Sequence, residues 1–235
     1  MNTGHSCIPE YPPNYLEYPK FYNVIEQTFI LHPGDMLYIP QKWFHWIHSY
    51  PDDNLENFAV SFNMTNVTKV MNEFHNEKPF VFHLDKKNNK FLNYNQSIFK
   101  DKEQKHITLL SKNNIISPVH KETLLNNSIK KELTLNEIYH IKNTNKFNIT
   151  IGQNTTLQKE LDFKPPTQLF YSFPDSTIKS FFWTYFLKNK KSYIDSGLHA
   201  DFFHNVLIQV KGIKIVRMYS PDNFDNLYVQ PMFLL

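Results

Sequence analysis

The sequence predicts a mainly β protein, a sandwich or barrel of short strands with a few helices. Three observations carry that expectation. Aromatic and β-branched runs of strand length recur, among them "FILHPGDMLYIP", "KWFHWIHSY", "NFAVSFNM", "SFFWTYFL" and "NVLIQVKGIKIVRMYS". Glycine is scarce, at 5 residues, yet Gly34, Gly197 and Gly212 all fall at turns between such runs. Aromatic content reaches 16%, with 21 Phe and 13 Tyr, which supplies large rings to fill an interior.

Taken in order, residues 1–68 hold Pro-punctuated strand signals. In "FILHPGDMLYIP" an apolar run halts at His32-Pro33-Gly34-Asp35 and resumes, the pattern of two strands joined by a tight turn, with Gly34 supplying the unusual φ. Residues 69–165 are more polar and rich in Lys and Asn. Within them "EKPFVFHLD" reads as a strand led in by Pro79, and "DKKNNKFLNYNQ" as a surface loop or hairpin tip. Thr134 stands three before Glu137, a capping box that opens a short helix. The isolated His75, His83, His106, His120 and His140 are expected at the surface or in packing rather than as ligands. From residue 166 the β texture returns with "TQLFYSF" and the strands after it.

A chain of 235 residues can bury a sizeable core as one domain or two. Its net charge is only +3, and Arg217 is the sole arginine among the basic residues. Readers of nucleic acid lean on arginine forks, so composition gives nucleic-acid binding no special support. Cys7 is the only cysteine, which excludes an internal disulfide framework and a cysteine-based zinc cage. With no leader-like start and no apolar run of membrane-span length, the expectation is a soluble, intracellular protein, cytoplasmic or nuclear, without a membrane partner.

The chemistry-bearing residues sit near the two ends. In "SGLHADFFHNVLIQVKGIKIVRMYSP", His199, Asp201 and Asn205 share one strand face if the strand runs unbroken, and His204 takes the other. In "KWFHWIHSY", His45 and Ile47 share a face while Trp46 and His48 point the opposite way, so His45 and His48 are not expected in one site. Two histidines and a carboxylate on one face of an octahedron leave three open positions, which suits non-haem Fe(II).

These segments resemble the JmjC and cupin-like 2-oxoglutarate oxygenases, in the hydroxylase branch. The pattern H-x-D, N, Q-x-x-G-x-K and P is similar to the family's metal-binding strand, and "LHPGDMLYIPQKWFHWIHS" to its later signature P-G-D-x-L-x-I-P-x-x-W-x-H. The resemblance implies a double-stranded β-helix (a jelly-roll or cupin barrel) with Fe(II) held by His199, Asp201 and His45. It implies a 2-oxoglutarate site in which Lys214 pairs with the distal carboxylate, Ser196 assists and Asn205 orients the chelating end. Ser61 stands where some relatives carry a second Asn. Trp43, Phe44 and Trp46 either wall that site or fill the core. Arg217 is expected in a surface pair.

The two signatures stand in reversed order here, and the end "SPDNFDNLYVQPMFLL" reads as if it should run into "IPEYPPNYLEYPKFYNV". Residues 1–68 then form the C-terminal half of a barrel, 69–165 a connecting and N-terminal region, and 166–235 the metal-binding half. Three situations give this order: a circular permutation with residues 64–78 as the join, a fragment of a tandem or split protein, or a homo-oligomer in which halves are swapped. The expected activity is 2-oxoglutarate-dependent hydroxylation of a protein substrate, with tRNA the lesser alternative. The competing readings are a non-catalytic cupin-like binding module and a cupin holding another divalent metal.

Overall fold

The computed structural model describes residues 4–65, 78–84, 105–112, 128–152 and 177–230. Thirteen strands and one α-helix follow in order: β1 (Gln27–Leu31), β2 (Asp35–Ile39), β3 (Phe44–Tyr50), β4 (Glu56–Thr65), β5 (Phe80–His83), β6 (His106–Ser111), β7 (Ser128–Leu133), α1 (Leu135–Asn143), β8 (Asn148–Gly152), β9 (Thr177–Phe186), β10 (Ile194–Asp195), β11 (His199–Ala200), β12 (His204–Lys211) and β13 (Ile213–Tyr219). They form two antiparallel sheets in a cupin-like jelly roll. The smaller runs β1-β13-β3-β10 with β11 also paired to β3, and the larger runs β5-β2-β12-β4-β9-β8-β6-β7.

The early and late segments interleave. β13 lies between β1 and β3, and β12 lies between β2 and β4, so each sheet takes strands from both. The outer connections meet as well. Ser6 bridges Val229, the Gln230 amide donates to the His5 carbonyl at 2.8 Å, and the Ser6 hydroxyl donates to the Leu227 carbonyl at 2.6 Å. The closing segment therefore lies beside the opening one, within a single chain.

Two sequence features become corners between sheets. The Pro33-Gly34 turn, with Gly34 at φ 101°, carries the chain from β1 in the smaller sheet to β2 in the larger one. The expected unbroken strand from His199 to Asn205 is instead split into β11 and β12. The reason is topological: β11 pairs in the smaller sheet and β12 in the larger, so the chain must bend between them.

Residues 69–165 do more than connect. β5 extends one edge of the larger sheet, and β8, β6 and β7 extend it beyond β9. Thr134 and Glu137 form the anticipated capping box on α1, whose Leu135 and Ile138 pack with Leu110, Ile149 and Phe186. The "DKKNNK" stretch, "TQLFYSF", His75 and His120 lie outside the described residues, as does most of the 64–78 join.

β2 is buried along its whole length, and its side chains join an apolar cluster on each face of the larger sheet. One face presents Leu37, Ile39, Ala59 and Leu207 to Val216 and Met218 of the smaller sheet. The other packs Met36, Tyr38, Phe62, Val206 and Ile208 with Phe80 and Phe82 of β5. The outer face of the smaller sheet, with Phe44, Trp46 and Tyr219, is covered by Ile8, Phe21, Leu198 and Leu227.

Gly212 joins β12 to β13 at φ 72°, and a Cβ there would lie 2.5 Å from the Tyr50 carbonyl oxygen and 2.9 Å from that of Glu56. Both atoms are backbone in paired strands and cannot swing aside. Gly212→Ala should therefore lower unfolding free energy in urea by about 1–3 kcal/mol. A loss under about 0.5 kcal/mol, the scale of neutral surface changes, would show that this junction is slack.

Candidate metal centre

A cavity of about 560 Å³ opens between the sheets, and the residues singled out by sequence converge on it. β11 delivers His199 directly opposite His45 of β3, with ring centroids 4.2 Å apart. Asp201 follows in the bend, its Oδ2 3.9 Å from His45 Nε2. One ligand atom from each of His45, His199 and Asp201 lies within 4.8 Å of the others. They are the one such group among the described residues.

Backbone carbonyls fix both imidazoles in the same way. His45 Nδ1 lies 3.1 Å from the Trp43 carbonyl and His199 Nδ1 lies 3.0 Å from the Gly197 carbonyl. A carbonyl only accepts, so each Nδ1 carries the proton and each Nε2 keeps its lone pair for a cation. Burial, reinforced by the neighbouring His45, holds the His199 pKa well below the ordinary imidazole range, with Asp201 opposing. His199 is thus neutral at physiological pH, the form that binds metal. The Asp201 bend is pinned where its carbonyl accepts the Lys42 amide at 2.9 Å and the Phe202 carbonyl accepts Gln41 Nε2 at 2.6 Å.

Deeper in the cavity stands Lys214. β13 alternates, so Lys214 shares the inward face with Val216 and Met218 and is 2% exposed. Its Nζ donates to Ser49 Oγ at 2.5 Å and sits 4.8 Å from the centre of the Tyr185 ring. Among the described residues no carboxylate pairs with it. Burial pushes its pKa down to about 7.

Asn205 lines the cavity and donates to Asp201 Oδ2 at 3.3 Å. Ser61 lines it too and accepts from Trp183 Nε1 at 3.0 Å. Ser196 reaches the wall with its hydroxyl already engaged, accepting from the Ile47 amide and donating to the Gly197 carbonyl.

Other expectations resolve at the same place. His48 faces away from His45, and His204 meets Tyr38 Oη at 2.7 Å outside the cavity, as strand parity required. Trp43, Phe44 and Trp46 belong to the packed core and do not line the cavity; β9 supplies Trp183 and Tyr185 as the aromatic wall. Arg217 does pair with Glu26, at 3.5 Å, but its side chain is largely buried, at 15% exposure.

Among the lining residues that escaped the sequence reading are Ser49, Asn63 and His5. Ser49 shares strand parity with His45, and Asn63 with Ser61, so both were available by counting in twos. His5 gave no such signal. It reaches the cavity through an isolated bridge to His199, on whose ring it stacks with centroids 5.6 Å apart.

Comparison with known proteins points to the same kind of domain. Residues 1–76 match the family described as cupin-like domain. A protein of Acanthamoeba polyphaga mimivirus named "Putative JmjC domain-containing protein L887" is 27% identical over 235 aligned residues, covering 92% of this chain and 37% of that protein. The chain thus spans little more than a third of this relative's length. With so little of the chain left out, the alignment includes the regions of both His45 and His199, in the order found here. No solved structure matches the chain.

The Lys214 environment yields a stability prediction for the metal-free protein. Its folded pKa, about 7, lies below the usual 10.5, so between these values the unfolded chain binds more protons than the folded one. Wild-type stability should rise with pH across that window, and the penalty of a buried ammonium should be complete below pH 7. Lys214→Met should accordingly be more stable than wild type at pH 6 by about 1–4 kcal/mol, with the gain shrinking towards pH 10. Urea titrations at the two pH values check this; a variant less stable at pH 6 would contradict it.

Proposed function

We propose that this chain, whose fold and matches support a JmjC/cupin-like family, is an Fe(II)- and 2-oxoglutarate-dependent hydroxylase. One observation carries the reading: a group of two histidines and one aspartate shares its cavity with a buried lysine that has no carboxylate partner among the described residues. The donor set fits Fe(II), since neutral imidazole and carboxylate on three positions leave room for a chelating cosubstrate.

The rest of the cavity fits 2-oxoglutarate. A buried ammonium is costly unless paired, and a dicarboxylate offers Lys214 the partner it lacks. Asn205 Oδ1 and Asn63 Oδ1 are buried without hydrogen-bond partners, which marks polar capacity that a ligand or its water could use. In this reading His45, His199 and Asp201 hold the iron, Lys214 with Ser49 anchors the distal carboxylate, and Asn205 orients the chelating end beside Asp201. Ser196, whose hydroxyl is bound to backbone, keeps the β10–β11 turn in place while Ser61 and Asn63 complete the wall. Bound iron would supply dioxygen activation coupled to decarboxylation of 2-oxoglutarate, giving succinate, CO2 and a hydroxylated substrate. The apolar side chains around the site exclude water from that chemistry.

The substrate side favours a protein side chain over nucleic acid. Among the described residues lining the cavity, Lys214 is the sole Lys or Arg and it is buried at depth, while Ile107, Leu109, Phe202 and Phe203 offer apolar surface. Backbone phosphates would call for exposed cations.

The assembled site has an optical signature. Anaerobic protein given Fe(II) and 2-oxoglutarate should develop the weak visible charge-transfer band of the chelate, at one iron per monomer by size exclusion. His45→Ala, His199→Ala and Asp201→Ala should each abolish the band and succinate release. A well-folded, iron-loaded protein with no band would favour a non-catalytic module, and a dimeric mass with sites built from two chains would favour swapping.

Binding of the cosubstrate should also take up a proton. At pH 8 Lys214 in the free protein is mostly neutral, because its pKa lies near 7. Pairing with a carboxylate favours the ammonium and raises that pKa, so calorimetry in buffers of different ionisation enthalpy should register uptake approaching one proton. Lys214→Met should remove both the uptake and most of the affinity; wild-type binding without proton uptake would argue that Lys214 does not meet the carboxylate.

A further inference from the structure

From the wall of the cavity, where Asp195 stands, a buried chain of polar groups that the proposed chemistry does not use leads away under the smaller sheet's outer face. It begins at Asp195, which is 1% exposed and lies on β10 opposite His48 of β3. Asp195 Oδ1 accepts from Trp46 Nε1 at 2.5 Å and from the Gly197 amide at 2.7 Å, and its Oδ2 meets His48 Nε2 at 3.1 Å. His48 Nδ1 in turn faces Arg217 NH1 at 2.7 Å. The Arg217 guanidinium is covered by the Tyr11 ring at 3.8 Å and paired with Glu26, which also accepts from Tyr219 Oη at 2.8 Å.

The donor and acceptor roles along this chain are determined. Arginine only donates, so His48 Nδ1 must accept and His48 Nε2 must carry the proton. His48 Nε2 therefore donates to Asp195, whose carboxylate receives three donors. One of those, the Gly197 amide, belongs to the turn between β10 and β11. The Gly197 carbonyl is the group that orients His199. A continuous series of contacts thus leads from Glu26 near the surface, through the chain's single arginine, to the residue that aims a candidate metal ligand.

We propose that Arg217, His48 and Asp195 are positioning residues: they lock the Ser196-Gly197 turn and so set the direction of His199 Nε2 at the metal centre. The inference rests on the metal reading above. His48 is then neither a ligand nor a packing residue but a tautomer-fixed link between a cation and a carboxylate. Groups that orient a ligand in this way commonly govern metal affinity by 10–100-fold.

The roles make a specific test possible. Asp195→Asn keeps the shape of the side chain, but Trp46 and Gly197 hold its remaining oxygen, so the new amide N–H meets the protonated His48 Nε2. Arg217 prevents His48 from moving its proton to Nδ1. Adding Arg217→Met to Asp195→Asn releases that lock, because His48 can then carry its proton on Nδ1 and accept from the amide at Nε2. Calorimetry with Mn(II) and anaerobic Fe(II), together with the Co(II) ligand-field spectrum, should show Asp195→Asn binding metal 10–100-fold more weakly with an altered spectrum. The double variant should recover at least fivefold and return the spectrum towards wild type. Recovery on removing a second group is not what simple loss of packing produces. His48→Gln, which retains a donor and an acceptor, should fall within about threefold of wild type and serves if Asp195→Asn does not fold. Asp195→Asn with wild-type affinity, or a double variant worse than the single, overturns the inference while triad-dependent metal binding stands. A wild-type protein whose metal binding survives His45→Ala and His199→Ala overturns the metal reading itself, and this inference with it.

Discussion

Everything in this molecule depends on two strands from late in the chain inserting between strands from early in the chain. β12 separates β2 from β4, and β13 separates β1 from β3. Without the inserted pair, β1 would be parted from β3 and β2 from β4, the early segment would be four strands with bare ladder edges, and its apolar layer would lack Leu207, Val216 and Met218. Unpaired edges and open apolar faces are unstable in water. The core closes only when Leu37, Ile39 and Ala59 from the early part meet Leu207, Val216 and Met218 from the late part. Neither segment owns a sheet, so neither owns a core.

The candidate centre is a by-product of the same interleaving. Register, more than proximity, does the assembling: β11 lies against β3 so that His199 stands across from His45, and β13 places Lys214 across from Ser49. Because side chains alternate along a strand, a slip of one position would turn His45 outward and bring Trp46 or Phe44 to the cavity. The turn at Gly212, which tolerates no side chain, and the ties from Lys42 and Gln41 to the Asp201 bend hold that register at both ends of β12. Backbone groups hold His45, His199 and Ser196, side chains hold Lys214, Asn205 and Ser61, and the Oδ1 atoms of Asn205 and Asn63 keep open capacity. That is the arrangement expected of a site prepared for a charged ligand.

Much of this was legible in the sequence, for identifiable reasons. His45, His199, Asp201, Asn205 and Lys214 stood out through short spacings tied to strand alternation, which local sequence encodes directly. The exclusion of His48 and His204 followed from the same alternation. What failed were inferences that needed to know which sheet a strand joins. The break between β11 and β12 is invisible in "HADFFHNVL", where polar and apolar residues run on without a turn signal, because it is imposed by pairing partners. Trp43, Phe44 and Trp46 were equally ambiguous: an aromatic ring on a strand does not say whether a cavity or a packed layer lies beneath it. His5 was beyond reach, since its place beside His199 depends on a bridge between residues nearly two hundred positions apart. The single arginine was noticed for what it excluded, while its contact with His48 depends on β13 lying beside β3.

The interleaved topology also has a consequence for how the protein comes into being. A ribosome finishes Thr65 at the end of β4 almost 140 residues before it reaches His204 at the start of β12. At roughly 5–20 residues per second, that delay is on the order of ten seconds. Throughout it, the four early strands lack β12 and β13, the neighbours that join β2 to β4 and β1 to β3. Chain elongation therefore sets the earliest moment at which the barrel can close, and until then the early strands keep the bare edges that invite misassembly during synthesis.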